Sequence, residues 1–140
     1  MKKYKLTDET KTVNGTTLRR IKALRDFGDV EVGDLGGWIE SEKNLSQEGN
    51  CWVYNDAQVS GDALVFDDAK ISGEARIFGE ARIFGEACVF GNTKFFGEAQ
   101  VFGHAKISGD TSVYDDARVS SYAQVSDNAK VSDNERRHSR

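Results

Sequence analysis

Residues 71–90 read ISGEARIFGEARIFGEACVF, and a six-residue unit recurs in them without interruption. This repeat is the strongest indication of the fold. Ile71, Ile77, Ile83 and Val89 are each six residues apart. The spacing continues in both directions as a column of 14 residues, of which 13 are Val or Ile and one is Phe. Its members are Val53, Val59, Val65, Ile71, Ile77, Ile83, Val89, Phe95, Val101, Ile107, Val113, Val119, Val125 and Val131.

A small residue, Ala or Thr, stands two positions before each later member of this column. A period of six does not fit an amphipathic helix, whose apolar stripe recurs at three and four residues. It fits a short strand followed by a corner: Ala75 and Ile77 share one face, and Arg76 and Phe78 point the other way. Gly79 supplies the corner, where a positive φ is tolerated. Three such units predict an all-β triangular coil of about 18 residues, stacked on the next as parallel strands.

The unit of residues 71–76, Ile-Ser-Gly-Glu-Ala-Arg, resembles the hexapeptide-repeat superfamily of left-handed parallel β-helices. The left hand is implied by this resemblance and not by the spacing. Residues 18–30, 33–40 and 49–54 also resemble a group of phage and prophage hexapeptide proteins of largely unassigned function. That second resemblance brings no active site with it.

The N-terminal segment differs from the repeat and predicts a cap. Asn14-Gly15 between Thr/Val-rich runs is a strong signal for a two-residue β-hairpin turn. Ile39 and Leu45 are six apart, whereas Leu45 and Val53 are eight apart, which predicts an irregular first coil with a two-residue bulge. We therefore expect a hairpin cap over residues 1–38, a β-helix over 39–133 and a charged, mobile tail over 134–140.

Composition excludes several function classes. The net charge of −4 does not favour nucleic-acid binding, and no apolar run approaches the roughly 18 residues of a membrane span. The charged start of the chain lacks the apolar stretch of a secretory signal. We therefore expect a cytoplasmic protein that has no membrane or nucleic-acid partner.

The sequence also argues against catalysis. Some hexapeptide-repeat proteins are acyltransferases with a histidine base and an inserted loop, but this repeat has no insertion, and its two histidines are His104 at a corner and His138 in the tail. One coil histidine is too few for a zinc site. Cys51 faces inward and Cys88 outward, two coils apart, so both are expected to be free thiols. We predict no catalytic residue, no cofactor and no metal.

The outward aromatic residues are the most informative departure from a plain repeat. They fall into columns of period 18, and we expect rings within a column to shield only their edges from one another. Because a soluble monomer rarely exposes so much contiguous apolar surface, we predict an interface for self-association or for another protein. Its residues are Phe66, Phe78, Phe84, Phe90, Phe96, Phe102 and Tyr114.

These observations favour a non-catalytic interaction protein that forms a dimer or trimer; the phage resemblance suggests inhibition of a host defence protein. One alternative is a protein that sequesters a nucleotide or anionic metabolite between protomers, at Arg76, Arg82, Lys94 and Arg118. A divergent acyltransferase is the other. Most outward basic residues are expected to pair with carboxylates stacked at the corners, Asp62, Glu80, Glu98 and Asp116 in one column and Asp68 and Glu86 in another.

Overall fold

The computed structural model describes residues 2–126, 128–132 and 136–139, the last range for its backbone alone. In this part of the chain every regular element is a β-strand except one 3-10 turn, Glu42–Asn44. The strands form a parallel β-solenoid of about five coils preceded by an antiparallel hairpin. The predicted all-β class and the parallel stacking of 18-residue coils are confirmed.

Three sheets form the walls of the solenoid, and from Gln58 to Val125 each coil contributes one short strand to each sheet. In the first coil Leu45 makes only an isolated bridge to Val65 of the third sheet. The first sheet contains β1 (Tyr4–Val13), β2 (Thr16–Ala23), β3 (Leu35–Ile39), β5 (Gln58–Val59), β8 (Arg76–Ile77), β11 (Lys94–Phe95), β14 (Ser112–Val113) and β17 (Lys130–Val131). The second contains β4 (Trp52–Val53), β7 (Lys70–Ile71), β10 (Cys88–Val89), β13 (Lys106–Ile107) and β16 (Gln124–Val125). The third contains β6 (Leu64–Val65), β9 (Arg82–Ile83), β12 (Gln100–Val101), β15 (Arg118–Ser121) and β18 (Arg136–Ser139).

The interior is filled by the column that the sequence predicts. All 14 column residues are buried, and the small residues two positions earlier lie beside them inside the coils. Phe95, the single ring in the column, is fully buried between Ile77 and Val113 on the neighbouring coils. The inward and outward assignment is therefore correct through the one irregular unit.

The first coil has the predicted bulge. Ile39 pairs with Val59 and Leu45 with Val65, each 20 residues later, whereas Val53 pairs with Ile71 after 18 residues. The two extra residues thus lie between Leu45 and Val53, as the spacing of eight requires.

The hairpin turns at Asn14-Gly15, as predicted, and both residues have a positive φ. Its second strand pairs antiparallel with β3, which in turn runs parallel to β5. The hairpin thus covers the starting edge of the first sheet, an edge that could otherwise recruit another chain.

Part of the predicted charged tail continues the solenoid, since Arg136–Ser139 pairs in parallel with β15. The tail residues 134, 135 and 140, like residue 133 before them, lie outside the described residues.

Candidate functional site

A groove with a volume of about 580 Å³ lies between the hairpin tip and the outward face of the first sheet. We call it the hairpin groove. The hairpin tip reaches this groove because β2 pairs with β3, and β3 is followed by β5 and β8 in the same sheet. Its lining residues are Val13, Asn14, Thr16, Leu18, Glu40, Gln58, Ser60, Gly61, Arg76, Ile77, Phe78 and Lys94.

Two cations lie next to each other in this groove. Arg76 and Lys94 are register partners on β8 and β11, so their side chains leave the same face of the sheet one coil apart. Both are exposed, and neither has a carboxylate oxygen within 4.0 Å among the described residues. A second concavity of about 410 Å³ extends from this pair towards Glu74, Asn92 and Asp110.

The expected pairing of outward basic residues with corner carboxylates is therefore wrong for these two cations. It is also wrong for Arg82, Lys106 and Arg118, which have no such partner among the described residues. The corners that carry these carboxylates do stack, since the N–H of Asp62, Glu80 and Glu98 each donates to a corner carbonyl of the next coil. One of these carboxylates, Asp62, does form an ion pair with a lysine. Its partner is Lys43 of the first coil, at 2.7 Å.

The four residues predicted to bind an anion divide into two groups. Arg76 and Lys94 share the hairpin groove on the first sheet, whereas Arg82 and Arg118 lie on the third sheet, separated by Gln100. The structure thus brings together two of the four on one chain.

Six of the seven predicted interface aromatics form two stacks, and Phe90 belongs to neither. Phe66, Phe84 and Phe102 lie one above the other with centroids 4.8 and 5.0 Å apart. Phe78, Phe96 and Tyr114 do the same at 5.5 and 5.1 Å.

Ring planes within the stacks differ by no more than 11°, so the rings cover each other's faces, and the expectation that they shield only their edges is wrong. Of the seven predicted interface residues, only Phe78 and Phe90 are more than a third exposed, at 39% and 43%. These two lie on different walls. Self-association through these aromatic residues stays a prediction. The exposed apolar surface that would drive it is smaller than the sequence suggested.

Both cysteines are free thiols, as predicted. Cys51 is buried, whereas Cys88 is half-buried on the second sheet between its register partners Lys70 and Lys106. His104 lies at the corner after β12, 3.5 Å from Glu86 and stacked on Tyr122. Neither Cys88 nor His104 lines the hairpin groove. No group of three or more potential metal ligands was found within the described residues.

Sequence reasoning missed the groove itself and three of its contributors. Glu40 lies at one end, where its Oε1 accepts a hydrogen bond from the Gly61 N–H at 2.7 Å. Ser60 lies directly above Phe78 in the outward column, and Asn14 contributes from the hairpin turn. The turn signal at Asn14 was visible in the sequence, but nothing in the sequence placed that turn over the sheet.

Comparisons with known proteins agree with this architecture. A family model described as the YdcK β-solenoid repeat matches residues 57–73, which cover β5 to β7. The chain is also 41% identical to the "Uncharacterized acetyltransferase YdcK" of Escherichia coli (strain K12), over 43% of this chain. The matched region spans 21% of that relative, about a fifth of its length. Both matches support a hexapeptide-repeat β-helix family, and the phage resemblance stays a prediction.

The similarity corrects the predicted function. A non-catalytic interaction protein was expected, but the relative is named as an uncharacterized acetyltransferase, so the expectation of a non-catalytic protein is not retained. No helix in the described part of the chain is long and apolar enough to cross a membrane.

Proposed function

We propose that the chain binds a small phosphate-bearing ligand in the hairpin groove, through Arg76 and Lys94. The observation that carries the proposal is the position of these two cations, adjacent in register, at an open groove and without a carboxylate partner among the described residues. Like charges directly opposite each other in a sheet destabilise it. A bound anion between them would remove that repulsion and accept charge-assisted hydrogen bonds from both.

The groove has the composition of a small-molecule site. Its lining includes the apolar side chains of Val13, Leu18 and Phe78 together with the two cations and the carboxylate of Glu40. Ligand sites in proteins commonly combine apolar walls with a few convergent polar groups. This arrangement favours a ligand that has both an anionic group and an apolar or aromatic part.

The similarity to a protein named as an acetyltransferase suggests which ligand to test first. Acetyl-coenzyme A carries phosphates and an extended organic portion, and both fit the chemistry of the groove. We propose it as the acyl donor of this protein, held by Arg76 and Lys94 at its phosphates.

Isothermal titration calorimetry of the purified chain with acetyl-coenzyme A and with inorganic pyrophosphate tests the proposal. Arg76→Gln and Lys94→Gln should each weaken binding of both probes roughly 10-fold or more, because each removes a hydrogen bond to a charged group. Arg82→Gln is the matched control on the third sheet and should change affinity less than about twofold. Absence of binding to the wild-type chain, or equal losses in all three variants, would refute the proposal.

A further inference from the structure

The stack of Phe78, Phe96 and Tyr114 ends inside the hairpin groove. Each ring in it covers the next, with centroids 5.5 and 5.1 Å apart and planes within 11° of parallel. The outward residue one coil before Phe78 is Ser60, since Val59 pairs with Ile77. The stack therefore has no fourth ring on this side, and one face of Phe78 is left to the groove.

Exposure agrees with this position. Phe78 is 39% exposed, whereas Phe96 and Tyr114 are half-buried. Phe66, which ends the other stack on the same side, is also half-buried. Of these two end rings, only Phe78 is more than a third exposed and also lines the groove.

The distance between this free ring face and the cations suits a specific ligand class. Phe78 directly follows β8, two residues after Arg76, and both side chains leave the same side, so their Cα atoms are separated by about 6.6 Å if the extended backbone continues past Ile77. Lys94 adds a second cation one coil further along the axis. A planar ring placed over Phe78 and a phosphate placed at Arg76 and Lys94 are thus separated by about the length of one sugar.

We infer that Phe78 is the base-binding position of the hairpin groove: the base of a nucleotide-containing ligand continues the stack on Phe78 while its phosphates contact Arg76 and Lys94. The inference rests on the proposed function and adds the base-binding position to it. Any nucleic-acid base can stack on an aromatic side chain, so the groove would bind a nucleotide without preference for a particular base. Glu40 lies beside Ser60 in the same lining and offers Oε2 to the sugar hydroxyls.

Calorimetry with two probes separates the inference from the function on which it rests. The wild-type chain should bind ADP about 5- to 100-fold more tightly than inorganic pyrophosphate, since one stacked base contributes this factor. Phe78→Leu should reduce ADP binding to the level of pyrophosphate and leave pyrophosphate binding unchanged. Phe90→Leu, the same change at an exposed ring on the second sheet, should alter neither.

A second variant tests the inference even if Phe78→Leu is too unstable to be measured. Ser60→Phe would extend the protein's own stack into the position of the base, and it should abolish the preference for ADP while pyrophosphate still binds. If pyrophosphate binds through Arg76 and Lys94 but ADP binds no more tightly, the inference is wrong and the proposed function stands. If neither probe binds the wild-type chain, both are wrong.

Discussion

The ammonium nitrogen of Lys3 lies 2.8 Å from the carbonyl oxygen of Cys51 and 3.3 Å from its Sγ atom. It also donates to the carbonyl oxygens of Glu48 and Gly49 at 3.4 and 3.3 Å. The Lys3 residue is 0% exposed. A buried lysine with these partners satisfies carbonyl groups of the bulge in the first coil, and so fixes the start of the chain to the top of the solenoid.

Lys3→Met should therefore destabilise the protein. The change keeps much of the apolar stem but leaves carbonyl groups at the bulge without a donor, which costs about 1–3 kcal/mol in the free energy of unfolding. Lys5→Met is the matched control, because Lys5 is exposed on β1. Urea denaturation of both variants measures the difference, and equal losses would show that Lys3 has no structural role.

The buried thiol beside Lys3 gives a pH-dependent prediction. Burial raises the pKa of Cys51 above its ordinary value of 9.0, so the folded state holds the thiol proton more tightly than the unfolded state. The stability that this provides is complete below pH 9.0 and decreases as the pH rises from 9.0 through the folded pKa. Cys51→Ala lacks this loss, so the wild type should lose stability relative to the variant as the pH rises above 9.0.

Burial also lowers the pKa of Lys3, which acts in the opposite direction. Stability contributed by Lys3 is present above its ordinary pKa of 10.5 and is lost as the pH falls through the folded pKa. Cys51 in turn raises the pKa of Lys3, so the difference between the wild type and Cys51→Ala reports on the thiol together with its effect on Lys3. A difference that stays constant across this alkaline range in urea denaturation would show that the Cys51 pKa is not raised.

Adding a methyl group should destabilise the protein to different degrees at two glycines, one in the hairpin turn and one at a coil corner. Gly15 and Gly79 both have a positive φ, of 83° and 70°. A Cβ at Gly15 meets nothing within 4 Å, whereas one at Gly79 lies 2.9 Å from the nitrogen of Gly97. Gly15→Ala should cost about 1–2 kcal/mol for the left-handed backbone alone, and Gly79→Ala should cost more because the coils must also separate. Thermal melts that rank the two variants in the reverse order would contradict this packing.

Replacing threonine by valine should change the free energy of unfolding in opposite directions at two buried positions. Thr111 Oγ1 donates to the carbonyl oxygen of Ser108 at 2.7 Å, whereas Thr93 Oγ1 has no hydrogen-bond partner among the described residues. Thr93→Val should therefore raise the free energy of unfolding by about 1 kcal/mol, and Thr111→Val should lower it by a similar amount. Chemical denaturation of the pair checks the sign, and a loss of stability in both variants would contradict the assignment of Thr93.

The interior of the solenoid could be predicted from the sequence because each wall repeats one local rule. The six-residue period determines which side chains face inward, and the break between Leu45 and Val53 shows where the first coil must contain extra residues. Asn14-Gly15 predicts its turn because both residues tolerate a positive φ. These features depend on residues close together in the chain or on a strict repeat.

The candidate site could not be predicted in the same way because it depends on contacts between the cap and the solenoid. The repeat places Trp52 on the outer side of β4, yet it is 1% exposed because Phe27 and Tyr4 pack against its ring at 5.2 and 6.0 Å. Burial of Lys3 has the same origin. The path of residues 24–34 and the position of the hairpin over β5 follow from long-range packing, which has no periodic signal in the sequence.

Amide NMR of the isotope-labelled chain during titration with inorganic pyrophosphate would locate the bound anion without any substitution, and so tests whether the hairpin groove is the binding site. Binding in the hairpin groove should give the largest shift changes at Arg76, Lys94 and the hairpin turn at Asn14, whereas Arg82 and Arg118 on the third sheet should change little. Shift changes of equal size on the Arg82–Arg118 face, or none in the hairpin groove at saturating pyrophosphate, would contradict binding at this site.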